Sequence, residues 1–503
     1  MGCDRIASDY VLHLLPRATL DQRPFADDPS VKLVLRDPVR GRDIQPLGSL
    51  ADDTVTSEGM GPLQDTWAGL LLELPPDTSP TYDPSSLQAW GEAGPFTLAD
   101  EGEEIEQRVL IPKFGRVGDL DLLPVGTAAF GAAVALTPRG DVLLFGGVDG
   151  LDVTSTPALA RILSLEDVNG GDWRFVDTGT MPSIGGSSAR YEATATLVEA
   201  DGRDAVLVAG GRANGASRDD NLSTAFLLDA VTGEVLWSSE AMQRARSGHL
   251  AQSMANGRVL MVGGFEGEDV GIEPERASFE VFDPTWRAFD PGGDLLDVPA
   301  RGFAVADLRS DGVLVCGGGV PKTPDPDAPR VPVDECNRIS ILGNVQSSAP
   351  LPEPLQYLAM APVGDREVLA CGGVPGVVDG AATATDRAWL YQIDQDTWLP
   401  LPPLYTARAM HKVLTTPDGR GIVLGGTTAG SDRFDELGAP VECVEVFDPD
   451  TRTFTEVECT ATASGAAPGV STSVRGLAFV ISGLAEAGGG GRAYGVVGLG
   501  PDL

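Results

Sequence analysis

The chain has 503 residues, 73 Asp and Glu against 36 Lys and Arg, and a formal net charge of −37 at pH 7. That balance repels phosphate backbones and acidic lipid headgroups, which argues against nucleic-acid or polybasic membrane roles. Three His leave little room for imidazole-based metal or acid–base chemistry, and 63 Gly with 38 Pro read as an all-β chain of short strands and turns.

No charged-then-apolar secretory signal opens the chain, which begins Met1-Gly2-Cys3-Asp4. Gly2-Cys3 resembles the end of a bacterial lipobox, in which a small residue stands directly before the Cys that is lipidated. N-myristoylation of Gly2 expects Ser or Thr at position 6, where Ile6 stands. An ordinary cytosolic start is the alternative. Residues 1–30 are expected to form a lipid-attachment and linker segment, with a short helix as the other reading. Over 31–112 the runs VKLVLRD (31–37), GLLLEL (69–74), PFTLAD (95–100) and QRVLIP (107–112) are separated by Pro, Gly and Asp. They predict a small β-sandwich-like domain, or else an extended tether.

From residue 114 onward one pattern recurs: an aliphatic run into a Gly pair. The pairs end at Gly147, Gly211, Gly264, Gly318, Gly373 and Gly426, with a weaker copy at Gly483, at spacings of 53 to 64 residues. A period near 50 with four strands per unit marks a propeller blade. Ahead of the pair stands Ala-Arg, at Arg190, Arg246, Arg301 and Arg408. After it comes a third strand that ends in an Asp-Pro turn, clearest at 280–286 and 445–451. A fourth strand opens on Trp173, Trp237, Trp286, Trp398 or Phe454. An unbroken apolar second strand is buried on both faces.

Residues 114–503 thus resemble the kelch-repeat, galactose-oxidase-like β-propeller family. The resemblance implies an all-β, seven-bladed kelch-type β-propeller with a small N-terminal β-rich region. Segment 114–124 takes the place of the fourth strand missing from the last unit and closes the ring, which removes two exposed edges.

The repeat gives the cysteines their places. Cys316 ends a second strand and Cys336 begins the third strand of the same blade. Cys443 and Cys459 flank an Asp-Pro turn. Two intra-blade disulfides are expected, with Cys371 free, and with them an exported location. His249 and His411 each follow a motif Arg by three residues, so they read as blade-packing residues. Galactose-oxidase-like copper chemistry implies two His and two Tyr, one of them joined to a Cys. His13 lies outside the propeller, and no Tyr or Cys is expected beside His249 or His411. No metal and no cofactor is therefore expected.

Loops between second and third strands emerge on one face of a propeller. Their carboxylates form the expected binding face: Asp149, Asp219, Asp220, Glu266, Glu268, Asp269, Asp325, Asp327, Asp432 and Asp435. The leading reading is a non-catalytic, exported scaffold anchored by lipid on Cys3, binding a protein or glycan partner at the cell envelope. The alternative is a carbohydrate-active enzyme like the kelch-type sialic-acid mutarotases. That class implies Glu, Arg and His around the central channel, with Arg190, Arg246, Arg301 and Arg408 as candidates beside a loop Glu.

Overall fold

The computed structural model describes residues 190–459 apart from 191, 213–220, 231, 240–241, 267–275, 300, 322–329, 377–381, 431–437 and 442. Outside that span it describes the strands given below and Gly146. Seven four-stranded antiparallel sheets follow one another. The first is Ala133–Leu136, Val142–Phe145, Arg161–Asp167 and Trp173–Thr180; the second is Thr194–Ala200, Arg203–Ala209, Ala225–Asp229 and Val235–Ser239. Leu250–Ser253, Val259–Val262, Arg276–Asp283 and Ala288–Pro299 make the third, and Phe303–Asp307, Val313–Gly317, Cys336–Ile339 and Val345–Ser348 the fourth. The fifth is Ala359–Val363, Glu367–Cys371, Ala388–Gln392 and Thr397–Pro400; the sixth is Lys412–Thr415, Gly421–Leu424, Cys443–Asp448 and Thr453–Cys459. The last joins the two ends of the repeat: Val470–Val474, Leu477–Ile481 and Tyr494–Gly498, with Val117–Asp119 paired on Tyr494–Gly498.

First strands touch in sequence from the first sheet to the sixth, and the first strand of the last sheet touches that of the first. The sheets are therefore blades of a β-propeller. No α-helix occurs among the described residues.

Strand alternation builds the cores. A second strand sends successive side chains to opposite faces, and each face meets a different neighbour. Val206 and Val208 pack with Leu143 and Phe145 of the first blade. Ala205, Leu207 and Ala209 pack with Val259, Met261 and Phe282 of the third. Leu260 and Val262 turn the other way, onto Val313 and Val315 of the fourth. Such strands must be apolar throughout, which is why the run into the Gly pair shows no hydrophobic alternation.

The aromatic of the fourth strand packs on a third-strand ring seven residues earlier: Tyr391 with Trp398 at 4.8 Å and Phe447 with Phe454 at 5.0 Å. In the third blade the pair is Phe282 with Phe289, at 5.0 Å. The expectation for Trp286 is thus corrected: it lies in the preceding turn, 80% exposed. Asp283 Oδ1 accepts the N–H groups of Thr285 and Trp286, so the Asp-Pro turn claims the residues up to 287 and the strand starts after them.

Both expected disulfides are present. Cys316–Cys336 and Cys443–Cys459 join directly opposed residues with Cα separations of 4.2 and 3.9 Å, and Cys371 is free and buried. Bridges of this kind belong to oxidising, exported locations. Among the described residues no helix is long and apolar enough to cross a membrane.

Ahead of the blades, Gly41–Ser49, Ser30–Asp37, Leu63–Glu73 and Leu87–Leu98 form an antiparallel sheet in that order. A second sheet places Tyr10–Arg17 between Val55–Met60 and Glu104–Leu110, parallel to the latter. Within 1–30, where a linker or a short helix was expected, Tyr10–Arg17 is a strand; the rest of that segment before Ser30 lies outside the described residues. The partners of Tyr10–Arg17 begin at Val55 and Glu104, both far along the chain, and non-local pairings leave no local signal.

Candidate functional site

The motif Arg side chains form the framework around which the site is built. Arg246 is fully buried. Its Nη1 donates to the carbonyl of Gly263 at 2.9 Å, and its Nη2 to Ser278 Oγ at 3.0 Å and Glu280 Oε1 at 2.8 Å. Arg408 repeats this with Gly425 O at 3.2 Å, Cys443 O at 2.8 Å and Glu445 Oε1 at 2.6 Å. Both carboxylates are saturated from the other side by backbone: Gln243 and Arg244 donate to Glu280, and Tyr405 and Thr406 to Glu445. Arg190 bonds Gly210 O and Thr224 Oγ1, and its guanidinium lies over the Phe226 ring at 4.5 Å. Phe226 stands where the other blades have Glu280 and Glu445. Burial lowers the Arg190 pKa to about 10.

These clamps stitch neighbouring blades. The second Gly of a pair donates to the carbonyl of the next blade's motif residue: Gly211 to Arg246 at 2.9 Å and Gly373 to Arg408 at 2.8 Å. The first Gly has no space for a side chain. A Cβ on Gly372, whose φ is +62°, would lie 2.3 Å from Arg408 O and 2.5 Å from His411 Cε1.

His249 and His411 are therefore packing residues of two separate blade junctions, each against the Gly pair of the preceding blade. His249 Nε2 meets Thr194 Oγ1 at 2.9 Å, and His411 Nε2 meets Cys371 Sγ at 3.3 Å. This corrects one expectation, since a Cys does lie beside His411. Burial lowers His249 to about 3, with nearby Arg246 adding to the effect, and His411 is lowered in the same way. Burial also pushes Cys371 up to about 12. Thiol and imidazole are both buried, and burial disfavours the charged form of each.

Just ahead of the innermost strands, the residue before this packing position adopts a left-handed backbone in five blades. φ is +60° at Gly248 and +69° at Gly302, and +56°, +58° and +56° at Glu192, Tyr357 and Met410. Gly248 N donates to Glu192 O, Tyr357 N to Gly302 O and Met410 N to Tyr357 O, at 2.6 to 2.9 Å. These residues form a backbone-bonded collar at the inner ends of the blades. A non-Gly residue held there carries strain of about 1–3 kcal/mol, of the kind that collects at functional sites.

Glu192 is the one acidic member of this collar. Arg212 Nη2 reaches its Oε2 at 2.7 Å, and Arg212 Nε donates to Ser247 Oγ at 2.8 Å. The Glu192 and Arg212 side chains are 18% and 11% exposed. Burial raises the Glu192 carboxyl above the usual range, opposed by Arg212, by Arg301 and by a hydrogen bond from Ser247. Glu192, Arg212 and Ser247, from two neighbouring blades, thus meet beside the collar, with the Arg301 charge acting on Glu192 from a third, an arrangement suited to a small ligand rich in hydroxyl and carboxylate groups.

Sequence reasoning placed Arg301 among the candidates and missed Glu192, Arg212 and Ser247. The signal lay in the aligned repeats. Glu192 stands two residues after its motif Arg, where Gly248 stands in the next blade, and Arg212 follows a Gly pair where other blades carry Phe265, Gly319, Val374 or Thr427. Of the expected binding-face carboxylates, Glu266 lies in Phe265–Glu266, paired with Arg246–Ser247. Asp149, Asp219, Asp220, Glu268, Asp269, Asp325, Asp327, Asp432, Asp435 and the lipidation residue Cys3 lie outside the described residues. The loop bases are described. Arg212 pairs with Asn221, Gly319–Pro321 with Arg330–Pro332, and Thr427 with Pro440, so Arg212 of the cluster is itself the base of one such loop.

No protein-family model and no curated protein matches the chain. Among solved structures it is similar to YjhT, at 15% identity and TM-score 0.45 over 67% of this chain and 100% of that one. It is also similar to a fungal alcohol oxidase of the AA5 family in complex with copper, at 17% identity and TM-score 0.54 over 77% and 76% of the two chains. At such identities the likeness concerns the fold, a kelch, galactose-oxidase-like β-propeller. The described residues do not fit a copper centre. His249 and His411 are enclosed in different blade junctions, and the one grouping of three metal-ligating side chains among the described residues is Cys443, Glu456 and Cys459, whose sulfurs are bonded to each other.

Proposed function

We propose that this is an exported β-propeller, tethered by lipid on Cys3, that binds a glycan at the inner mouth of its loop face. The observation that carries the reading is the Glu192–Arg212–Ser247 cluster on strained backbone, with the charge of Arg301 felt by Glu192. It offers cationic donors, one titratable acid and a hydroxyl within a partly open site, which matches the vicinal hydroxyls and carboxylates of sugars better than an apolar protein hot spot. The acidic loops around it then set access and selectivity rather than providing the main contact. Of the two partner classes, a glycan is therefore preferred over a protein.

A glycan array probed with wild type and with E192Q and R212M tests this. Selective glycan signals that both variants lose support the reading; no signal on any glycan with wild type overturns it. Mass analysis of the N-terminal peptide of the native protein tests the lipid on Cys3.

A catalytic reading of the same site is favoured by one feature, the raised Glu192 carboxyl, which suits a general acid–base group for opening and closing a sugar ring. NMR exchange between the anomers of each sugar bound on the array, with and without the protein, separates catalyst from binder.

A further inference from the structure

The two disulfides occupy opposite kinds of place. Cys316 and Cys336 are 0% and 2% exposed inside the core between the fourth and fifth blades. Cys443 and Cys459 lie at the ends of the third and fourth strands of the sixth blade, where Cys459 is exposed and Cys443 half-buried. A carboxylate joins the second pair only. The sulfurs of Cys443 and Cys459 and an oxygen of exposed Glu456 all lie within 4.8 Å of one another.

A β-bulge explains how Glu456 reaches the sulfurs. Cys443 opposes Cys459 and Val444 opposes Glu458, but Glu445 opposes Glu456, so Val457 is the extra residue. Without the bulge, alternation would set residue 456 on the face opposite residue 459. Bulges re-aim side chains in this way. Glu445 itself is held inside by Arg408, which leaves Glu456 as the carboxylate facing the sulfurs.

From this arrangement we infer that Cys443, Cys459 and Glu456 form a redox-gated site for a thiophilic divalent metal such as Zn2+. A dithiol reductant gives two electrons and two protons to the bridge and is itself oxidised to a disulfide, leaving two thiols. The metal then displaces both thiol protons and is bound by two thiolates and one carboxylate, with a fourth position open to water. Directly opposed cysteines on a paired ladder stay close after the bridge opens, so the site is preorganised in the reduced chain. The buried Cys316–Cys336 bridge is shielded from the same reductant and serves as an internal control.

Titration of the full chain with Co2+ and Cd2+, before and after treatment with a dithiol that is then removed, tests the inference. The expected result is one metal per chain in the reduced protein only, with a sulfur-to-metal charge-transfer band. C443S/C459S abolishes the band. E456Q leaves the bridge and the fold intact and weakens binding at least about tenfold. Equal binding by oxidised protein, no binding after confirmed reduction of the bridge, or unchanged affinity in E456Q would each overturn it.

Discussion

The buried Arg–Glu clamps and the Arg212–Glu192 pair differ in ways that separate scaffold from site. Arg246–Glu280 and Arg408–Glu445 have the same partners in two blades, are closed to water and have carboxylates saturated by two further backbone donors. Arg212–Glu192 has no counterpart in the other described blades, is partly open and stands on a strained backbone. Repetition marks what the blade needs in order to fold. A departure from the repeat, placed at the inner ends of the blades, marks what the fold was adapted to do.

The comparison is broken most directly at Glu445. E445A leaves the Arg408 guanidinium buried without its carboxylate, at a cost of about 3–5 kcal/mol, read as a lowered urea midpoint. R408M/E445L removes both charges and recovers part of that loss. Recovery stays incomplete because the N–H groups of Tyr405 and Thr406 still lose their acceptor. A double variant no better than the single one would mean that the clamp acts through shape rather than charge.

Acid attacks the same framework through its histidines. His249 titrates at about 3 in the fold and near 6.5 when unfolded. A lowered pKa contributes stability that is complete above the unfolded value and is lost as pH falls toward the folded one. Between pH 6.5 and about 3, roughly 1.4 kcal/mol disappears per pH unit. H249N flattens that limb of the stability curve, and a variant that remained as acid-labile as wild type would show that the imidazole is not held neutral. His411 acts in the same direction.

Glycine substitution separates crowded from open positions. G372A places a methyl against Arg408 O and His411 and costs more than the about 1–3 kcal/mol of left-handed strain alone. At Gly202, with φ +71° and nothing within 4 Å, G202A costs that strain and no more. Equal losses would mean that blade junctions tolerate more than their geometry suggests.

How much of this was legible depends on whether a feature repeats. The Gly pairs, the Arg residues and the cysteine positions recur or fall in register, so the fold and both bridges could be read from spacing alone. Trp286 misled because it stands two residues after Asp-Pro, close to where a fourth strand begins, and only the Phe282–Phe289 contact shows which ring the blade uses. Tyr10–Arg17 was missed because its partner is remote. Glu192 was missed for a different reason. The motif Arg residues drew attention as charges, while the informative event was a Glu replacing a Gly at a position that requires positive φ.

The smallest stability change is expected at Glu192, and it decides whether the axial pair belongs to the scaffold. Its native carboxyl is raised, so it contributes stability that is fully present below the unfolded value near 4.3 and is lost as pH rises through the native one. Glutamine keeps the shape and does not titrate. E192Q therefore gains on wild type as pH climbs from 4 to 7. Urea midpoints across that range measure the crossing. If E192Q instead falls behind by as much as E445A, Glu192 is a third clamp, and the case for an axial ligand site fails with it. A small gain in stability together with lost glycan binding is the signature of a residue held in strain for its ligand.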